Sequence, residues 1–464
     1  MTSGNGPAAG PRRSTAAGTG PPAVAEDRPG RAVETGMPAS AKVPPSARPG
    51  GPVLSARAAL RRYALVTGLT WFPPGLMMSS MVLLMAARGL DLGQVGAASA
   101  IFAAVVVVLE LPTGGLADVL GRRVVLAASA LVSVAALTTL ALATSWWMFA
   151  AASVLKGVAR ALSSGPAQAW YVDTLHAAEG PGADLKPGLS RGEATASISL
   201  CAATLIGGCL PLLLPGGLVA PMIAAAVAAG VLFAVVLVAL PEPPRPRPTL
   251  GGVLRDVPPT IGAGLRLAVR DRGLNRLLLV AFAAGVALSS IELLTPGRLA
   301  QLTGRLESGS SAYALVIAAG FAASGAGSWA APRAARLLGG PVRAAVTGGV
   351  AAAAALAGLA ASVALSGTAG IVAAGAAYVA MFAALGVAEV MRVEMMHRRV
   401  GPGRRATLMS VDSLQLQFGG MAAGLGLGAL AARSGPAPAW AVAAGLVLPS
   451  VLLYLRLPPA ADPE

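Results

Sequence analysis

Apolar runs of about 20 residues, the length a helix needs to cross a bilayer, recur between residues 63 and 456 of this chain. No water reaches the backbone inside hydrocarbon, so only helices and closed barrels can satisfy every N–H and C=O there. A barrel would show short strands of alternating polarity, and the runs here are continuous. Charged residues make up only 12% of the 464 residues, about half the share of a soluble domain. The expected fold is all-α and polytopic, embedded in the lipid bilayer.

Twelve spans are expected, at 63–86, 94–116, 124–143, 147–170, 192–213, 219–240, 275–297, 312–331, 342–362, 368–391, 406–431 and 437–456. The two sets of six share their loop rhythm, which predicts six-helix bundles at 57–240 and 275–457. Residues 1–56 are rich in Pro, Gly, Ala and Arg, contain no aromatic residue and are expected to form a disordered tail. They carry no apolar stretch of the kind a signal peptide needs, and Met37 offers an alternative start. The linker 241–274 opens with the stiff PEPPRPRP. Its later part, TIGAGLRLAVRDR at 260–272, reads as an amphipathic helix on the membrane surface or as a solvated connector. Residues 458–464 form a second short tail.

The net charge of +15 does not mark a nucleic-acid partner, because the arginines lie between spans rather than in a basic domain. Alternate connections hold Arg57, Arg61, Arg62, Arg122, Arg123, Lys186, Arg191, Arg333, Arg336, Arg343, Arg398, Arg399, Arg404 and Arg405. The others hold only Arg88, Arg298, Arg305 and Arg433. This asymmetry predicts that both termini are cytoplasmic. The preference for Ala, and for Arg over Lys, suggests a GC-rich bacterial source and hence a plasma membrane.

Cys201 and Cys209 share one apolar run and read as small buried residues without a disulfide. His176 and His397 are too few for a histidine metal site, and no phosphate-binding G-x-x-x-x-G-K-[ST] loop occurs. No metal or cofactor is expected. Nor is an enzyme, since no polar constellation gathers at one face.

Between the second and third spans lies GGLADVLGRRVVL, residues 114–126. Glycines permit a tight turn, and arginines suit the cytoplasmic side. Neither accounts for Asp118 or for the spacing of Gly114, Asp118, Gly121, Arg122 and Arg123. That spacing resembles the signature loop of the major facilitator superfamily. The preceding ELPTG (110–114), and SGPAQAWYVD (164–173) at the end of span four, resemble its bacterial efflux-type members. The six-plus-six arrangement and the basic linker fit as well, so the resemblance covers about residues 60–457.

The resemblance implies a two-bundle transporter in which the loop acid caps the amino-terminal end of the eleventh span, here near Thr407–Asp412. The arginine reaches an acid at the inner end of span four. A latch of Asp118, Arg122 and Asp173 is expected on that basis. The second half has a worn copy, APRAARLLGGPVR (331–343), with Ala334 and Ala335 where an acid would stand. In span five, Gly207, Gly208 and Pro211 do not complete the G-x-x-x-G-P-x-x-G-G pattern of drug antiporters, and Arg160 is not followed by glycine at the usual spacing.

Ionisable groups inside spans cost about 2.5–3.5 kcal/mol each on insertion scales and need a reason. Lys156 and Arg160 are four residues apart on one face of span four. Glu110 lies in span two and Glu292 in span seven. The resemblance places spans one, four, seven and ten around a central cavity, where Lys156, Arg160 and Glu292 would meet substrate or water. The competing account is an internal salt bridge such as Glu110 with Arg160. Glu389, Arg392 and Glu394 are read as structural groups near a wet edge. Trp71, beside the helix-kinking Pro73 and Pro74, and Tyr378 are candidates to line the cavity or to pack. Gly420, Gly424 and Gly428 offer a smooth face for close helix packing.

The expected function is secondary active transport by alternating access, with proton-coupled export of a small hydrophobic or amphipathic compound by an antiporter. Glu110 and Glu292 are the proton candidates, and a monomer is expected. Proton-coupled uptake of a metabolite and a non-transporting receptor are the alternatives.

Overall fold

The computed structural model describes residues 54–241, 271–401 and 405–458, and all secondary structure among them is helical. The expected tails at 1–56 and 458–464 and the amphipathic segment 260–272 lie, apart from their edges, outside the described residues.

The helices are α1 (Ala56–Met78), α2 (Met81–Ala87), α3 (Leu92–Leu120), α4 (Arg122–Leu142), α5 (Trp146–Ser163), α6 (Pro166–Glu179), α7 (Lys186–Leu213) and α8 (Ala220–Ala239). There follow α9 (Arg272–Thr303), α10 (Leu306–Leu338), α11 (Pro341–Ala361), α12 (Gly367–His397), α13 (Arg405–Ser434), α14 (Pro436–Ser450) and the short α15 (Leu452–Leu455). Local signals set several of the ends. Asp91 starts α3 with a reciprocal cap: its Oδ1 accepts the Gln94 N–H at 2.8 Å, and the Gln94 side chain accepts the Asp91 N–H at 3.1 Å. Asp271 caps α9 by accepting from Gly273 and Leu274. Gly121 joins α3 to α4 at φ +106°, a conformation open to glycine and costly for other residues.

Among the described residues, eleven helical segments are long and apolar enough to cross a membrane. The fourth expected span is the exception. The continuous helix predicted at 147–170 is cut at Ser164–Gly165 into α5 and α6. Lys156 and Arg160 lower the apolar character of α5, and Gly165 at φ +93° ends its register. A second feature concerns the first span: α1 continues through Pro73 and Pro74, and the helix is interrupted at Ser79–Ser80. Neighbouring helices can hold a proline-bearing membrane helix together. The break has its own support: the Ser80 and Ser310 hydroxyls are 2.7 Å apart, and Ser310 donates to Ser79 at 3.3 Å.

Successive spans alternate in direction, so residues 54 and 458 lie at one face, here called the terminal face. Arg62 donates to the Ala239 carbonyl there, and Arg399 donates to Pro458 while lying 3.9 Å from Asp271. At the opposite face, Arg298 donates to the carbonyls of Ser362, Val363 and Leu365.

The first six spans pack mainly on one another, through α1 with α7 and α4 with α5 and α8. The last six do likewise, through α9 with α13 and α12 with α10 and α11. The principal crossings between these sets are α3 with α13 and α7 with α10. Glycines make the first crossing close: a Cβ on Gly424 would lie 2.6 Å from the Gly96 carbonyl, and one on Gly428 would lie 2.8 Å from that of Leu92. Gly420 faces Ser289 of α9 instead.

The buried apolar residues form one cluster that joins both halves toward the opposite face, including Leu83, Leu84, Met222, Leu294 and Ile317. At the terminal face each half keeps its own core. Leu126, Trp170 and Leu232 belong to one, and Leu274, Met396 and Tyr454 to the other. Large apolar side chains such as Trp147, Val238 and Leu337 are exposed on the outside, as hydrocarbon contact requires. Both cysteines are free, and neither is buried as expected: Cys201 is half-buried and Cys209 exposed.

Candidate functional site

A cavity of about 470 Å³ lies between the two halves, a size that suits a small organic molecule. Its wall is unequal. From the first half come Trp71, Pro73, Pro74 and Met77 of α1, Met81 and Met85 of α2, Phe102 of α3, Ser133 of α4, and Ser153, Lys156, Arg160 and Ser163 of α5. From the second half come Ser289 and Glu292 of α9, Tyr313 of α10, and Gln417 and Gly420 of α13. Span ten, here α12, adds no residue to this lining, contrary to the expected arrangement, while α2, α3, α4 and α13 do.

Lys156 and Arg160 are brought to this wall by helical spacing alone, one turn apart on α5. Each rests on an aromatic ring. The Lys156 ammonium is 5.4 Å from the Phe102 ring centre, and the Arg160 guanidinium is 5.1 Å from that of Trp71. Lys156 also donates to the Met81 sulfur at 2.8 Å. Glu292, on the facing helix, is accessible within the cavity, and its charge and that of Lys156 act on one another across it. No ion pair within 4.0 Å joins them.

Glu110 does not line the cavity. It accepts a 3.5 Å hydrogen bond from Ser164 at the α5–α6 break, and its field reaches Arg160 without a direct salt bridge. Tyr378 is also absent from the wall. It is fully buried, edge-on to Tyr313 at 6.1 Å and beside Phe382 at 5.0 Å. Gly320 of α10 makes the room: a Cβ there would lie 2.7 Å from the Tyr378 ring. That vacancy turns Tyr378 toward α10 and away from the cavity.

At the terminal face the structure brings Asp118, Arg122 and Asp173 together. Arg122 lies 2.6 Å from Asp173 and 3.7 Å from Asp118. Gly114 lies inside α3 near its end, Gly121 forms the turn, and Arg123 donates to the Leu237 carbonyl of α8. The Thr407 side chain lies outside the described residues.

A second charged group lies deeper than its place near the end of the tenth span implies. Arg392 is not at a wet edge; it is 2% exposed. It donates to both carboxylate oxygens of Asp412, one of them at 2.9 Å, and to Glu389 at 2.6 and 3.0 Å. Asp412 was not predicted as its partner. An acid in the first turns of the expected eleventh span was the signal, by the same cost argument applied to Glu292. Glu394 instead pairs with the exposed Arg398.

Comparison with known proteins places this geometry. The sequence profile of the Major Facilitator Superfamily matches residues 63–424, well over half of the chain. No curated protein sequence matches. Among solved structures, the nucleoside transporter NupG is similar at 14% identity in its D323A mutant, with a TM-score of 0.72 over 86% of this chain and 99% of that one. An auto-inhibited peptide transporter of the POT family is similar at 14% identity, with a TM-score of 0.66 over 87% of this chain and 98% of that one. At such identities these two show the shared fold alone. With the profile match, the helical architecture and the cavity between the halves, the chain belongs to the Major Facilitator Superfamily, as a multi-pass membrane protein and secondary transporter, not an enzyme.

Proposed function

We propose that this transporter is a bacterial, efflux-type antiporter of the plasma membrane. It exports a small amphipathic compound in exchange for protons, with both termini in the cytoplasm. The segments 57–240 and 275–457 are its moving halves, and the terminal face is the cytoplasmic one. The observation that carries the reading is the cavity between the halves, where Lys156 and Arg160 face the acid Glu292. Ionisable groups at membrane depth belong on transport pathways.

The packing supports alternating access. The halves share one apolar core toward the opposite face and keep separate cores at the terminal face, so the terminal side can part without breaking either half. In this reading Asp118, Arg122 and Asp173 form the inner latch. Glu292 is the proton-carrying acid because it is the carboxylate on the cavity wall, while Glu110 sits behind α5 and positions its end.

The test uses purified protein in proteoliposomes with an imposed pH gradient and a panel of amphipathic compounds. Cargo movement opposite to the proton flux is expected, and Glu292→Gln should abolish the proton flux. Movement with the protons would replace export by uptake. Unchanged proton flux in Glu292→Gln would remove the assigned acid.

A further inference from the structure

Arg160 is a guanidinium without an oxygen partner on the wall of a cavity. Among the described residues, it and Lys156 make no hydrogen bond to an oxygen. Their contacts are the Trp71 ring, the Phe102 ring and the Met81 sulfur. Arginine presents five N–H donors in a planar fork that matches a carboxylate with two parallel bonds. Glu110 moderates the field at Arg160 but is not on the cavity wall and fills none of these donors. Lys156 has Glu292 as its counter-charge across the cavity, so the wall itself carries one positive charge more than negative.

The remainder of the wall is apolar and adaptable. Met77, Met78, Met81 and Met85 lie along one side with Phe102. Flexible thioethers accept apolar bodies of varied outline. The two cations are about 6 Å apart along the axis of α5, so a carboxylate on Arg160 lies within the field of Lys156.

Resting on the transport reading above, we propose that the cargo is an amphipathic organic monoanion, its carboxylate held by Arg160 and its apolar body against the methionine-rich wall. Glu292, on the same wall, sets a negative charge against Lys156 and so weakens the pull on the carboxylate, an effect relieved when the acid is neutral.

The test is equilibrium binding to the detergent-solubilised full chain, with no gradient, so that failure to transport and failure to bind are read separately. The probes are 4-phenylbutyrate, its neutral amide 4-phenylbutyramide and the cation 4-phenylbutylamine. The carboxylate should bind at least tenfold more tightly than the other two. Arg160→Gln should remove that preference, Arg160→Lys should restore part of it, and Glu292→Gln should tighten carboxylate binding. Thermal melts without ligand identify any variant that has not folded, and Glu292→Gln then carries the test independently. Equal binding of the three probes, preference for the amine, absence of binding at millimolar concentration, or weaker carboxylate binding in Glu292→Gln would each overturn the proposal. Carboxylate binding without transport would leave it standing and sink the export reading instead.

Discussion

Each half of the molecule carries an arginine flanked by two acids, and the two clusters are built differently. Arg122, itself only 12% exposed, joins α3, α4 and α6, with Asp118 and Asp173 exposed by 55% and 39%. Arg392 is sealed between α12 and α13, with Asp412 only 9% exposed. An ion pair whose acids stay in contact with water contributes less and breaks more cheaply than a sealed one. A buried pair gains little over an apolar packing but is costly to leave half-made. The comparison teaches that the first cluster can rearrange at low cost within its half, while the second is a joint that keeps α12 and α13 together throughout.

The largest expected effect lies in the buried cluster. Asp412→Asn leaves Arg392 with Glu389 as its remaining counter-charge and should cost about 1.5–3 kcal/mol, seen as a lower thermal midpoint and lower yield in detergent. A midpoint unchanged from the parent would end the distinction between the clusters. Next, Arg392→Met combined with Asp412→Leu removes both charges at once. It should recover most of the stability lost in Asp412→Asn, because no buried charge is orphaned. If the double variant is as unstable as the single one, the joint works through shape rather than charge.

Smaller effects are expected at the surface cluster, and on state populations rather than folding. Asp173→Asn should cost about 1 kcal/mol or less and leave the melting curve nearly unchanged. That energy shifts an equilibrium between open and closed states by up to roughly fivefold, readable from labelling of a cysteine placed on each side of the cavity. Asp118→Asn should shift it least, by about 0.3–1 kcal/mol if its carboxylate serves a helix amino terminus. Unaltered labelling in both variants would remove the latch from the mechanism.

Much of this was legible from one sequence because membrane burial is severe. Continuous apolar runs can fold in few ways, and the cost of charge inside them exposed Lys156, Arg160 and Glu292, all of which line the cavity. Gly121 was legible as a turn because its backbone conformation excludes most other residues. The rest depends on how each helix is rotated about its axis, which a local pattern does not encode. Tyr378 points away from the cavity because Gly320, on another helix, leaves room for its ring. The union of Arg392 with Asp412 is likewise set by the docking of α13 on α12. The broken fourth span was misjudged because its apolar run hid what Gly165 does to the backbone.

The serines at the break in the first span have a further consequence. Ser79, Ser80 and Ser310 are wholly buried and satisfy one another across the two halves, and Ser311 donates to the Gly208 carbonyl at 2.6 Å. Separating these hydroxyls in a dry seam would strand several polar atoms at once, at about 1–3 kcal/mol apiece. That side therefore unseals only as solvent enters to replace the lost partners, so hydration is part of the opening step itself. Osmolytes that withdraw water should then hold it shut.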